Sequence, residues 1–414
     1  MLLLGLSAGL WYSLKMRGTT TNQAITVDVS TSAIIANDSE ILVAQPLPTN
    51  VSMTLPKEAV QGRRIIHDGQ VLLGTTIPKT GELGLLGRSL SDGLFLHLNK
   101  TKTMRFSLDQ RDDSGQVYRA VPHIHDLLDK TPLFFASSGE IVFEKVYTPM
   151  LACNALALLF PVIGMRSHIT EAMPIVWYRP PYTQEIAALL EYAIGTLKQN
   201  KIALFYEEST WGIEAKTAAE VMLQKKYNLA VCGASSYQPN TVTVQTAVAD
   251  IKKSAPQIIL CLSNGRPTYN FIREAINQQL HYASFLGLSR VANIAPQLQK
   301  SRGIALTTAS VVPNPYNSQL LIVQEYRKSM QQYLPNKGLS GESLEGYIAA
   351  SLLVYFLGQC PTTVTVGQLL TRICSPNELL FKGLRLQCKN KTLSRSVWIN
   401  TGVDSVWHEY RGES

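Results

Sequence analysis

From about Gln70 onward the chain alternates short apolar runs with stretches of helical periodicity. Val71 to Pro78 (VLLGTTIP) reads as a buried strand, and Lys79 to Gly87 (KTGELGLLG) as a glycine-rich turn. The next stretch, 88–99, reads as a helix with Leu90, Leu94 and Leu98 on one face. The same beat recurs. Residues 106–108 predict a strand, 117–128 a helix interrupted at Pro122, and 133–136 a strand ending in the turn Ser137-Ser138-Gly139. Beyond Arg179 the pattern predicts helices over 184–198, 212–225, 244–253 and 269–277. Strands fall between them at 202–206, 229–233, 258–262 and 284–287. Strands alternating with helices through short loops predict parallel sheets covered on both faces, a doubly wound α/β architecture.

In such sheets ligands meet the carboxyl ends of the strands, where backbone N–H groups and helix N-termini are exposed. The loops to search are therefore 79–87, 137–140, 161–168, 207–211, 263–266 and 287–293. Their Thr, Ser, Gly, Asn, Glu and Trp residues suit hydrogen bonding to a small polar solute.

The N-terminal part differs. Leu2 to Leu14 is an uncharged, mostly apolar run followed by Lys15-Met16-Arg17. Thirteen helical residues rise about 20 Å, short of a bilayer core of about 30 Å. Residues 1–17 are read as a signal peptide or membrane anchor, and 18–63, rich in Thr and Ser at its start, as a linker to the folded body. The expected location is the periplasm or another extracytoplasmic compartment, with tethering through the apolar segment.

Composition narrows the function. The 414 residues are 45% hydrophobic and 16% charged, enough apolar content to exclude general disorder. The net charge of +8 comes from dispersed Lys and Arg, without the basic stripe that nucleic-acid binding needs, so no nucleic acid is expected. Six cysteines show neither a Cys-x-x-Cys pair nor zinc-type Cys/His spacing, and no metal or cofactor is expected. Cys360, Cys374 and Cys388, with Cys153, are disulfide candidates in an oxidising compartment, Cys360–Cys374 being the favoured pair.

Several strings invite sharper readings and do not sustain them. Gly5-Leu6-Ser7-Ala8-Gly9 lies in the apolar leader, where no strand-to-helix elbow can form. Gly81, Gly84 and Gly87 lack the spacing of a dinucleotide or phosphate-binding loop. His123 and His125 point to different faces of a helix, and Asp112-Asp113 read as turn and cap. No nucleophile, base and oxyanion donor assemble, so catalysis is not expected.

Five segments, in order, resemble the type I periplasmic solute-binding proteins of ABC transporters, in particular the leucine/isoleucine/valine-binding branch. They are the stretch from Val71 to Asn99, DQRDDSGQVYRAV from Asp109, and WYRPPYTQEIAALLEYA from Trp177. The last two are IALFYEESTWGIEAKTAAEVML from Ile202 and GESLEGYIAASLLVYFL from Gly341. The resemblance implies two Rossmann-like lobes joined by three hinge crossovers, with lobe one at 64–179 and 310–393 and lobe two at 180–309 and 394–414. It implies a small polar, amino-acid-like solute held in the interlobe cleft and handed to an ABC-type permease. The alternative is a ligand-sensing or protein-interaction ectodomain with a degenerate cleft, acting through a membrane receptor partner.

By the same resemblance, Ser137, Ser138 and Gly139 form the first carboxylate-binding loop, and Gly164 lies in the second. Tyr182 sits at the crossover and Trp211 covers the ligand. Thr80, Glu207 and Asn264 complete the expected contacts from neighbouring loops. An acidic partner for an ammonium falls at Ser289 instead, with Arg290 beside it, which turns the expectation toward an anionic or neutral polar solute.

Overall fold

The computed structural model describes residues 59–412 apart from Thr103, Pro376, Val403 and Asp404, and before them the two strands Ala24–Asp28 and Asn50–Thr54. The apolar run at 2–14 lies outside the described residues. Among those described, no helix is long and apolar enough to cross a membrane. The stretch read as linker is not linker throughout. Ala24–Asp28 and Asn50–Thr54 pair antiparallel, and Val60 is fully buried with its N–H bonded to the Asn154 carbonyl.

Two sheets carry the body. In the first, Gln70–Thr76 lies parallel to both Arg105–Arg111 and Leu133–Phe135, followed outward by Ala157–Leu159 and Ile175–Val176. In the second, Ile202–Glu207 lies between Gly233–Tyr237 and Ile258–Leu262, with Ser284–Gly287 and Leu306–Ser310 beyond, all parallel. Ser396–Asn400 and His408–Arg411 then close its edge antiparallel. Each parallel set has the order 2-1-3-4-5. The strand order therefore reverses beside Gln70–Thr76 in one sheet and beside Ile202–Glu207 in the other, and a ligand crevice opens at such points. Strand burial explains the apolar runs: every residue of Ile258–Leu262 and of Leu133–Phe135 is buried, as expected of strands covered on both faces.

The crossovers between the sheets run side by side. Trp177 N–H bonds the Lys391 carbonyl at 2.8 Å, Ser394 N–H bonds the Tyr178 carbonyl at 2.8 Å, and the Tyr178 hydroxyl reaches the Val311 carbonyl at 3.4 Å. One apolar core continues through this region, joining Phe134, Phe143 and Trp177 to Ile186, Leu204 and Trp211.

Local pattern misplaced several boundaries. The first helix, Gly84–Leu98, starts inside the presumed glycine turn, and Gly265–Asn277 starts directly after Asn264. Val117–Leu128 runs through Pro122 without a break. The strand expected at 229–233 lies instead at Gly233–Tyr237. Asn228 caps the preceding helix in the left-handed region (φ 54°) and Leu229 N–H bonds back to Leu223, so the apolar NLAVC run is helix exit. The true strand is at a sheet edge and only Tyr237 in it is buried, so its sequence is polar.

The helices Gly84–Leu98 and Gly341–Leu357 pack closely because both carry glycine at the crossing. A Cβ on Gly93 would lie 1.9 Å from the Ser343 carbonyl oxygen, and one on Gly346 would lie 2.5 Å from that of Leu90. Backbone on the far side cannot swing away as a flexible side chain would. Gly93→Ala is expected to cost about 1–3 kcal/mol through overpacking, read as a lower urea midpoint at unchanged slope.

The disulfide expectation is corrected: Cys374 pairs with Cys388, their Cα atoms 4.9 Å apart. Cys360 is a free thiol in contact with the Phe356 carbonyl. Cys360 and Cys374 end separate helical segments, whereas the chain beyond Cys374 doubles back through the hairpin Leu379–Phe381 and Leu384–Leu386 and returns Cys388 to it.

Candidate functional site: the interlobe cleft

At the switch point of the first sheet, Leu133–Phe135 runs into Ser137-Ser138-Gly139. Gly139 adopts φ +102°, a conformation L side chains rarely take, and so lets the chain turn into the helix that starts at Glu140. Ser137 is fully buried, and its carbonyl accepts from Val162 N–H at 2.8 Å, tying this loop to the one after Ala157–Leu159. Among the described residues, three side-chain atoms of the turn are buried without a hydrogen-bond partner: Ser137 Oγ, Ser138 Oγ and Glu140 Oε2. Such groups are uncommon in folded proteins, because each carries a desolvation cost with nothing to offset it.

At the switch point of the second sheet, Glu207 ends its strand and accepts three hydrogen bonds: from Trp211 Nε1 at 2.8 Å, Tyr237 Oη at 2.8 Å and Asn264 Nδ2 at 2.7 Å. Burial first, and the Glu207 charge second, raise the Tyr237 hydroxyl well above its usual pKa and keep it a donor. Trp211 stands on the first turn of the helix Thr210–Tyr227, whose N-cap Ser209 accepts from Gly212 N–H. Strand, turn and capped helix bring Trp211 to Glu207 locally, whereas Tyr237 and Asn264 reach it from the ends of the two neighbouring strands.

Across the cleft the two lobes meet through charge. Arg290, on the turn after Ser284–Gly287, bonds Glu140 Oε1 through Nη1. The Tyr182 hydroxyl donates to the same carboxylate oxygen and accepts from Arg290 Nη1 at 3.1 Å. Asn264 Oδ1 accepts from Arg290 Nε at 3.0 Å and also from Nη2. The guanidinium carbon lies 4.8 Å from the centre of the Trp211 ring, within cation–π range, and the Tyr182 and Trp211 rings are 5.7 Å apart. Glu140, Tyr182, Trp211, Asn264 and Arg290 are all buried. Burial opposes the Arg290 charge, but Glu140 and then Tyr182 outweigh it and hold the guanidinium protonated.

Gly164 serves Tyr182 rather than a solute. A Cβ there would lie 2.3 Å from the tyrosine ring, and its carbonyl accepts from Tyr182 N–H at 3.0 Å. Thr80 is exposed and engaged by the loop after the neighbouring strand Arg105–Arg111, donating to Asp112 Oδ2 at 2.8 Å. Asp112 Oδ1 accepts from Ser114 N–H (2.9 Å), the expected turn role, and from Lys79 N–H (2.8 Å), which bridges two loops; it caps no helix, since neither neighbouring helix start has a side-chain cap. Ser289 is held by Glu185, which accepts from its N–H at 2.8 Å and its hydroxyl at 3.1 Å. Glu185 also pairs with Arg179 at 2.9 Å, and Arg179 with Glu345 at 3.7 Å, a buried charge network beside the crossovers.

Thus Ser138, Tyr182, Glu207, Trp211 and Asn264 converge on the cleft, while Thr80 and Ser289 bond elsewhere. Sequence reasoning left out Glu140, Tyr237 and Arg290 as contact residues. Glu140 carried a usable signal, as an acidic residue directly after a Ser-Ser-Gly turn. The Arg290 guanidinium, which turned the expectation toward an anionic or neutral polar solute, is paired with Glu140, and Glu207 is bonded to the Asn264 beside it. A small pocket beside the crossovers is lined by Arg179, Ser289, Arg290, Val311 and Glu345.

Two doubly wound lobes, joined by adjacent crossovers and facing each other with their strand carboxyl ends, define a protein of the two-lobed class. The family described as "Periplasmic binding protein" matches residues 70–385, and the chain belongs to that family. Among solved structures, a possible leucine/isoleucine/valine-binding protein from Rhodopirellula baltica SH 1 superposes with TM-score 0.72 at 21% identity, covering 86% of this chain and 98% of that one. A fatty acid ABC transporter substrate-binding protein from Thermomonospora curvata gives 0.72 at 17%, covering 86% and 95%. A solute binding protein of an ABC transporter from Rhodopseudomonas palustris HaA2, in complex with p-hydroxybenzoic acid, gives 0.71 at 14%, covering 83% and 98%. By sequence, the Leu/Ile/Val-binding protein homolog 7 of Brucella abortus (strain 2308) is 22% identical over 242 residues, which is 54% of this chain. The match spans only 59% of that relative's length.

Proposed function

We propose that this chain is an extracytoplasmic solute-binding protein that captures a small, polar, amino-acid-like molecule between its lobes for an ABC-type permease, with no catalytic step. The observation that carries the reading is the set of buried, unpartnered groups with acceptor capacity, Ser137 Oγ, Ser138 Oγ and Glu140 Oε2, on the loop that meets lobe two. An ammonium group supplies the donors they lack, and the surplus of carboxylate over guanidinium in the buried network favours a solute that brings positive charge. The named ligands of the structural neighbours differ from one another, so the choice of an amino-acid-like solute rests on this donor and acceptor balance. Entry requires the lobes to part, since Glu140, Tyr182, Trp211, Asn264 and Arg290 are buried against one another, and contacts from both lobes then favour reclosure.

The test is thermal stabilisation by a panel of amino acids, amides and small anions at millimolar concentration. A ligand at about 100 times its Kd is expected to add about 2.7 kcal/mol. At least one ammonium-bearing solute is expected to raise the midpoint, and Trp211→Ala combined with Ser138→Ala is expected to abolish the rise. No shift with any member removes the transport reading. A specific observation favours the second reading, a sensing or interaction ectodomain with a degenerate cleft: the protein's own Arg290 fills the space between the lobes. Solute-independent binding to a membrane partner would distinguish it.

A further inference from the structure

The environment of the Arg290 guanidinium has the composition of a cation receptor. A carboxylate from lobe one (Glu140), a tyrosine hydroxyl from the crossover helix (Tyr182), an amide oxygen (Asn264) and an indole face (Trp211) surround it, and Glu207 is bonded to both Trp211 and Asn264 behind them. Each is an acceptor or a π-face aimed at positive charge, and together they come from both lobes. Arg290 itself is in lobe two, so the pair with Glu140 spans the cleft and survives only when the lobes are closed. The two residues are 150 positions apart, and Arg290 stands at the start of the 3-10 turn Ser289–Ile294, where Asn264 of its own lobe holds the rest of the guanidinium. Its neighbour Ser289 is already fixed by Glu185 and Arg179.

We propose that Arg290 is a tethered cation that occupies the cleft's own ligand position and latches the lobes closed without solute, so that a free guanidinium or ammonium compound takes the same place when the arginine side chain is withdrawn. The proposal rests on the reading of the cleft as the ligand site. A solute bearing a cationic group exchanges with Arg290 on Glu140 and Trp211, and a solute without one leaves two buried charges unpaired. The latch thereby makes positive charge the entry requirement of the site.

The experiment compares the wild-type chain with Arg290→Ala, using methylguanidinium as probe and methylurea as its neutral isostere. Small-angle scattering of R290A is expected to show a larger radius of gyration than wild type, restored by methylguanidinium and not by methylurea. Calorimetry is expected to show methylguanidinium bound by R290A about tenfold more tightly, or better, than by wild type, where the place is taken. An unchanged radius together with no methylguanidinium binding by R290A overturns the proposal. Should R290A fail to fold, Glu140→Gln keeps the shape of the carboxylate and removes its charge. An expanded E140Q supports the latch, and an E140Q as compact as wild type overturns it. A wild-type thermal shift with an amino acid leaves the solute-binding reading standing whatever methylguanidinium does. Methylguanidinium rescue without any such shift removes that reading and keeps the latch.

Discussion

Arg179→Ala is expected to destabilise the protein by about 3–5 kcal/mol, the range for removing one partner of a buried ion pair. Arg179 leaves the crossover next to Tyr178 and is almost fully buried, with 4% of its side chain exposed. Its Nη2 bonds Glu185 Oε1 at 2.9 Å and its Nη1 lies 3.7 Å from Glu345 Oε2. Glu185 stands on the first helix of lobe two and Glu345 on the helix Gly341–Leu357 of lobe one, so one cation serves carboxylates of both lobes. Burial works against the Arg179 charge, but Glu345 and Glu185 more than compensate and hold it protonated. Truncation leaves Glu185 and Glu345 buried without the cation they share, with Ser289 still bonded to Glu185. Urea unfolding measures the loss. Arg179→Lys is expected to recover only part of it, because an ammonium cannot present the two separated donors of the planar guanidinium. A midpoint for R179A within experimental error of wild type would show that the network carries no net stability.

The second large effect is on pH. Glu345 is held at about 7, against 4.5 for a free glutamate, chiefly because burial disfavours its charged form. Arg179 pulls the other way, while Glu185 and Glu342 add to the rise. A carboxyl whose folded pKa lies above its unfolded value binds its proton more tightly when folded. Its contribution to stability is therefore largest below about 4.5 and is lost as pH rises from there through about 7. The full swing is on the order of 3 kcal/mol. Chemical denaturation between pH 5 and pH 8 is expected to show falling stability with rising pH, and Glu345→Gln is expected to flatten that slope. A wild-type slope equal to that of E345Q would refute the assignment.

Much of the architecture is visible in the amino-acid pattern for a definite reason. Parallel strands covered on both faces must be continuous apolar runs, and Ile258–Leu262 and Ile202–Glu207 are found within a residue of where those runs lie. The edge strand Gly233–Tyr237 has no such run, and the apolar residues nearby belong to a helix exit, so local reading placed it four residues too early. Helix starts at Gly84 and Gly265 were hidden because glycine reads as turn. At Gly84 the nearest atoms a Cβ would meet are the Arg88 side chain and the Lys79 carbonyl, each at 3.0 Å, a crowding that only the packed fold reveals.

The site divides in the same way. Glu207, Trp211 and Asn264 follow from strand-loop-helix units whose loops point to the carboxyl end of a sheet, a rule that sequence alone can apply. By itself the sequence determined a doubly wound α/β chain, the loops that face the crevice and the absence of a basic nucleic-acid stripe. These depend on periodicity and composition, which are properties of neighbours along the chain. Only the tertiary structure decided that Cys374 joins Cys388, that Ser289 belongs to Arg179 and Glu185, and that Arg290 lies against Glu140 and Trp211 and not free for an anion. Those pairings join distant segments, and the energy of a charge depends on what burial places beside it.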